Sequence, residues 1–228
     1  MTLLEGPVLV VAAHPDDEVL GCGGTISRLT AAGVPVHVLF FTDGVSARPD
    51  VAQSDAAAAR KQAAIASLAL LGVQAPEFLQ FPDNRLDTVA LLDLSQSVER
   101  VLARVSPVTV LTHHAGDLNV DHRCVHEAVM TACRPQPGHR VKSILCFEVA
   151  SSTEWRTPIP ASAFVPQLYI DISSHLRAKL EALDAYHVEM RAWPHARSLR
   201  AIEHLAGWRG ATAGVEAAEA FTVARIRL

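Results

Sequence analysis

Four runs of strand length are apolar almost from end to end: PVLVVAA (7–13), VPVHVLFF (34–41), VTVLTHH (108–114) and KSILCFEV (142–149). A strand that carries apolar side chains on both faces must be covered on both faces, so these runs argue against a half-solvated sheet and predict buried, mostly parallel strands. Between them lie stretches with helical character: VLGCGGTISRLTAAG ending at Gly33, Asp55–Leu71 with Ser54 as a cap and Gly72 as a stop, VALLDLSQSVERVLARV (89–105), and Asp121–Cys133. EFLQF (77–81) adds a short strand. The alternation predicts an α/β fold with helices on both faces of the sheet. Beyond a Pro-rich stretch, QLYIDI (167–172) reads as an edge strand, Ser173 or Ser174 as a helix cap, Leu199–Trp208 as a helix and EAFTVARIRL (219–228) as a closing strand. No repeat or linker divides the chain, so residues 1–228 are expected to form one domain.

Composition narrows the function. Half of the 228 residues are apolar, 19% are charged, and the net charge is −4 with no Lys/Arg block. A nucleic-acid partner needs a basic footprint, which is missing. Cys22, Cys124, Cys133 and Cys146 form no C-x-x-C pair, so reduced thiols are expected rather than a disulfide framework or a cysteine zinc site. The N-terminal stretch lacks the positive region of a signal peptide, and no apolar run reaches the ~20 residues that span a bilayer. A cytoplasmic protein acting on a small molecule, without nucleic acid or membrane, fits best.

The first apolar run stops at His14, and Asp16, Asp17 and Glu18 follow within four positions. Carboxylates this close repel one another, more so where water is scarce, so a positive partner is expected among them. In a parallel sheet, ligands bind outside the carboxyl ends of the strands. His14 to Glu18, Thr42 with Asp43, and His113 with His114 all follow strands and would share that rim. Two imidazoles and a carboxylate, such as His14, Asp17 and His122, are a recurrent way to hold a catalytic zinc with one position open. Simpler readings exist: paired aspartates often cap a helix, and Asp83 beside Asn84 can be turn chemistry. The glycines Gly21, Gly23 and Gly24 raise a dinucleotide-binding alternative. Their G-x-G-G spacing and the intervening carboxylates argue instead for close helix packing and room for a metal.

AHPDDEVLGCGGT (13–25) and GDLNVDHR (116–123) resemble the signature motifs of the PIG-L/LmbE-like zinc deacetylases, which remove N-acetyl groups from GlcNAc-type sugars. The likeness continues through FPDNRLDT (81–88), FVPQLYIDIS (164–173), PHARS (194–198) and AEAF (218–221). The resemblance implies a Rossmann-like three-layer α/β/α fold with a mostly parallel sheet. It assigns zinc, or another divalent metal such as Fe2+, to His14, Asp17 and His122, and the general base to Asp16. It points to Arg60, Asp83 and Asp43 for substrate binding. Members of that family carry a histidine three positions before the last zinc-ligating histidine, with the task of polarising the carbonyl or stabilising the oxyanion; here that position is Asn119, an amide that can donate a hydrogen bond but cannot be a cation or a proton donor. Asn119 is therefore expected to do a weaker version of the task or to yield it to His195, with His113 or His114 as second candidates. Asp121 is expected to steady His122 or its loop. Cleavage of another amide of a sugar or thiol conjugate, and a non-catalytic sugar-binding metal protein, are the alternatives; a homo-oligomer is compatible with the sequence.

Overall fold

A computed structural model describes residues 4–47, 53–157 and 159–227. Seven strands form one sheet in the order β3-β2-β1-β4-β5-β7-β6. β1 (Val8–Ala12), β2 (Val36–Phe40), β3 (Glu77–Phe78), β4 (Thr109–His113) and β5 (Ser143–Phe147) run parallel. β7 (Ala218–Ile226) pairs antiparallel with β5, and β6 (Leu168–Asp171) closes that edge antiparallel to β7. The helices α1 (Asp17–Ala31), α2 (Gln53–Leu70), α5 (Leu176–Asp184) and α6 (Leu199–Ala213) cover one face, and α3 (Leu91–Val105) with α4 (Val120–Ala132) cover the other. The expected three-layer α/β/α fold is the observed one.

The apolar runs are explained by this double cover. In β1, Val8, Val10 and Ala12 point into the core under α1, α2, α5 and α6, while Leu9 and Val11 point into the core under α3 and α4. All five are fully buried. From β1 the chain moves outward through β2 and β3, then crosses back to place β4 on the other side of β1. The order reverses at β1/β4, the point where such sheets open a crevice at their carboxyl ends.

Several boundaries differ from the sequence expectation. β3 spans two residues instead of five, although Leu79 and Phe81 still donate to Phe40 and Phe41 carbonyls at 2.8 and 3.1 Å. Ser54 falls inside α2, its side chain outside the described part, as are residues 48–52 of the preceding loop. Neither Ser173 nor Ser174 caps α5, which starts after His175; the Ser173 hydroxyl donates to Asp171 Oδ1 at 2.6 Å. α6 continues past Trp208 to Ala213, where Gly214 ends it at φ 76°.

α1 is broken at Cys22 (φ −146°), and the break leaves backbone N–H groups facing the core. Glu219 from β7 accepts from Gly24 N at 2.9 Å and Thr25 N at 2.7 Å, and Lys179 Nζ donates to the same carboxylate at 2.6 Å and to Leu20 O at 2.9 Å. Both charges are buried. Helix and sheet meet closely here: a Cβ on Gly21 would lie 2.3 Å from Phe147, and one on Gly24 would lie 2.7 Å from Ile172. These two glycines therefore serve packing, and neither a pyrophosphate cradle nor space for a metal is their purpose. Glu219→Ala would strand a buried ammonium and two amides, so it is expected to cost about 3–5 kcal/mol in a denaturant titration. A loss below about 1 kcal/mol would contradict this account of the AEAF segment.

Candidate active site

His14 leaves the end of β1, His122 lies in the first turn of α4, and Asp17 opens α1. Asp17 Oδ2 accepts from the His14 backbone N at 2.9 Å and lies 3.1 Å from His14 Nδ1 and 3.2 Å from His122 Nε2. The second nitrogen of each ring faces other carboxylates. His14 Nε2 is 3.2 Å from Asp121 Oδ2 and 3.3 Å from Asp83 Oδ1. His122 Nδ1 lies 3.1 Å from Asp117 Oδ1, a charge contact not aligned as a hydrogen bond. Asp121 accepts from Asn84 N at 2.7 Å and Leu86 N at 3.0 Å. Asp117 accepts from Asn119 N at 2.9 Å, from Thr153 Oγ1 at 2.6 Å and from the Ser152 hydroxyl. The loops after β1, β3, β4 and β5 thus converge on two buried imidazoles.

The donor set fits a divalent cation. One ligand atom each from His14, Asp17 and His122 lies within 4.8 Å of the others, and His14, Asp83 and Asp121 meet the same criterion. The chemistry separates the two groups. Asp83 and Asp121 already receive backbone N–H groups, which suits them to accept the His14 Nε2–H. Asp17 Oδ1, in contrast, is buried without a hydrogen-bond partner. Imidazoles that present one nitrogen to a common point and the other to a carboxylate are the usual arrangement of metal-ligating histidines. Two nitrogens and an oxygen suit zinc or iron. Electrostatics agree: burial opposes a charge on either ring, yet the carboxylates outweigh it, raising His122 to about 9 and His14 well above its ordinary value.

The three crowded carboxylates have three separate solutions. Burial pushes Asp17 up, but His122 and His14 overcome it and hold it well below the carboxylate range. Burial pushes Glu18 up to about 8, where it accepts from Tyr186 Oη at 2.7 Å and Asp16 N at 2.9 Å. Asp16 occupies the N-cap position of α1 without making a side-chain cap, at φ 118°. Its Oδ2 meets Arg197 Nη1 at 2.9 Å and Arg60 Nη2 at 3.1 Å, while Oδ1 is buried and unpartnered. Burial raises its pKa against the pull of Arg197 and Arg60. The paired aspartates are thus not a capping device.

Other expected residues stand differently. Arg60 is buried against the loops that carry Asp16 and Gly44: its side chain is 6% exposed, with Nε and Nη2 donating to Pro15 O at 2.9 and 2.7 Å and Nη1 to Gly44 O at 2.7 Å. Asp83 is buried against His14, Thr42 and Ala47 N, and Asp43 Oδ1 accepts from Val45 and Ser46 N at 2.9 Å, closing its own turn. Asp121 steadies His14 rather than His122; Asp117 fills that place. Asn119 caps α4, accepting from Asp121 N at 2.8 Å, and its Nδ2 lies 3.5 Å from Asn84 Oδ1. His113 is stacked on His122 at 4.0 Å, its Nε2 accepting from Ala13 N at 2.8 Å, and burial holds it neutral. His114 Nε2 meets Ser162 O at 3.2 Å. His195 lies edge-on to Trp155 at 5.7 Å, and its Nδ1 accepts from Arg197 N at 3.0 Å. Sequence reading missed Asp117 and Arg197, although both sit inside quoted motifs, GDLNVDHR and PHARS.

Comparisons with known proteins place the chain in a family and among similar folds. The family described as PIG-L, GlcNAc-PI de-N-acetylase, matches residues 9–133. The uncharacterized deacetylase YaiS of Escherichia coli K12 is 30% identical over 182 residues, covering 77% of this chain and 88% of its own. Diacetylchitobiose deacetylase of Thermococcus kodakarensis is 33% identical over 195 residues, covering 77% and 67%. Among solved structures, the N,N'-diacetylchitobiose deacetylase of Pyrococcus horikoshii superposes with a TM-score of 0.78 at 21% identity over 96% of this chain and 83% of its own. GalB, a 4-carboxy-2-hydroxymuconate hydratase of Pseudomonas putida KT2440, superposes at 0.75 with 24% identity over 97% of each chain. The fold alone therefore does not select the reaction.

Asp117→Asn removes a charge from the His122 ring without removing a ligand. It is expected to weaken zinc binding about 10- to 100-fold in a chelator competition, and unchanged affinity would contradict the role given to Asp117.

Proposed function

The chain belongs to the PIG-L, GlcNAc-PI de-N-acetylase, family, and on that premise we propose that it is a metal-dependent N-deacetylase of a GlcNAc-type sugar or glycoconjugate. The observation that carries this reading is a carboxylate that is not needed as a ligand. Asp16 stands beside Asp17 with one buried oxygen free. A protein that only held a metal and a sugar would have no use for such a group.

His14, Asp17 and His122 would hold the ion, which supplies Lewis acidity and lowers the pKa of a water from ~9 for the aqueous zinc ion toward ~7. Asp16 Oδ1 takes the proton of the attacking water. Its other oxygen is held by two guanidiniums, so the carboxylate cannot turn away as charge moves. The same oxygen then delivers the proton to the departing amine, leaving acetate and a free amino sugar. Asp121 and Asp83 fix the tautomer and direction of His14, and Asp117 sets a negative charge beside His122 Nδ1. Relatives whose names specify substrates act on GlcNAc joined to malate, on GlcNAc joined to inositol and on diacetylchitobiose, which supports the acetamide as the bond cleaved. No described helix is long and apolar enough to cross a membrane, which suits a small dissolved substrate.

A panel of N-acetylglucosaminides is expected to release acetate and amine in equal amounts, and chelation is expected to stop it. Asp16→Asn should lower kcat by about 10²–10⁴ while zinc content stays the same. Release of acetate at full rate by the metal-stripped protein would end this reading, and hydration of an enol substrate without acetate release would move it toward the hydratase.

A further inference from the structure

Asn119, three positions before His122, is an amide and supplies no cation, and one group at the cluster can supply it. The Asn119 side-chain oxygen is committed to the helix cap. His113 is buried, and its Nε2 is occupied in accepting from Ala13 N at 2.8 Å. His114 is directed at Ser162 O. Arg60 is sealed, each of its three nitrogens donating to a carbonyl. Arg197 is different. Its side chain is 20% exposed, whereas those of Asp16, Asp17 and His122 are at most 1% exposed. Nε donates to Ser151 Oγ at 2.7 Å and Nη1 to Asp16 Oδ2 at 2.9 Å, while Nη2 makes no hydrogen bond among the described residues. Two of its donors hold the guanidinium plane beside the base, and the side chain is the most exposed of this group.

We propose that Arg197 is a catalytic residue, its Nη2–H donating to the oxygen that becomes negative when water adds to the amide carbonyl. This rests on the amide-hydrolysis reading. In that step the water oxygen bonds to the carbonyl carbon, the C=O π pair moves onto oxygen, and the water proton goes to Asp16. Arg197 gives up no proton; it stays a cation throughout and supplies a charge-assisted hydrogen bond. When the tetrahedral carbon collapses, the pair returns to the C=O bond and the amine leaves with the proton from Asp16. The pairing also explains the geometry of PHARS: the short turn after His195, closed by His195 Nδ1 accepting from Arg197 N, aims the arginine inward. His195 thereby helps to position Arg197.

Methylphosphonate, a tetrahedral anion that mimics the adduct of water and an acetyl group, separates this assignment from the substrate question. Calorimetric titration of the zinc-loaded protein is expected to show binding that Arg197→Gln weakens about 10- to 100-fold, the worth of one hydrogen bond to a charged group, with zinc affinity unchanged. Arg197→Lys should keep part of the affinity and covers the case in which the glutamine variant does not fold. With an acetate-releasing sugar, Arg197→Gln should lower kcat about 10²–10³-fold with little change in KM, and Asn119→His should restore part of the loss. Equal methylphosphonate affinity in the wild type and both variants, or no binding by the wild type, overturns the proposal. If the anion data hold but no N-acetyl sugar is cleaved, the deacetylase reading fails while Arg197 stands as the anion-binding group.

Discussion

One oxygen atom, Asp17 Oδ2, organises the carboxyl end of the sheet. It accepts from the His14 backbone and lies within 3.2 Å of one nitrogen from each of His14 and His122, with His113 Nε2 at 3.6 Å. A buried carboxylate is costly unless it is paired and hydrogen-bonded, and this one is surrounded by imidazoles. His14 and His122 are each in turn backed by a carboxylate anchored to backbone amides or hydroxyls. The result is a set of alternating charges around the two rings. The apolar strands matter because they bring β1 and β4 side by side at the reversal of the sheet order, delivering these loops to one place.

The neighbouring aspartate shows what that constraint makes available. Asp16 is held at φ 118°, a conformation that costs a non-glycine residue roughly 1–3 kcal/mol. The distortion turns its carboxylate away from the helix terminus and toward Arg60 and Arg197. Arg60 comes from α2 and is spent on the Pro15 carbonyl, so it fixes the loop that carries Asp16. Arg197 comes from the segment before α6 and reaches the same oxygen from the open side. A like-charged triplet is thus resolved without bringing all three groups to one partner: Asp17 faces imidazoles, Asp16 faces guanidiniums, and Glu18, its pKa pushed by burial up to about 8, accepts from Tyr186 Oη.

Much of this was legible in the sequence because it is local. The buried strands follow from their unbroken apolar runs, and the polar residues after each strand end up on one rim. Close helix packing by Gly21 and Gly24 followed from their place after β1. What escaped was the long-range pairing of charges. Nothing in the spacing distinguishes Arg60, sealed by carbonyls, from Arg197, half-open beside the base. Asp121 and Asp117 stand on either side of the Asn119 cap, and only the turn into α4 decides that the first reaches His14 and the second His122. Serine commonly caps a helix through its oxygen, but the Ser173 oxygen accepts instead from Ala217 N at 3.2 Å, and α5 starts only after His175. His195 drew attention as a titratable group, whereas its neighbour two positions on makes the contact.

The central claim is that His14, Asp17 and His122 surround a single divalent ion. X-ray absorption at the zinc edge of the loaded protein tests it directly. The account predicts two imidazole nitrogens and light oxygen donors at about 2.0–2.2 Å without sulfur, and the loss of one imidazole contribution in His122→Gln. A sulfur shell, or a spectrum that His122→Gln leaves unchanged, would contradict it.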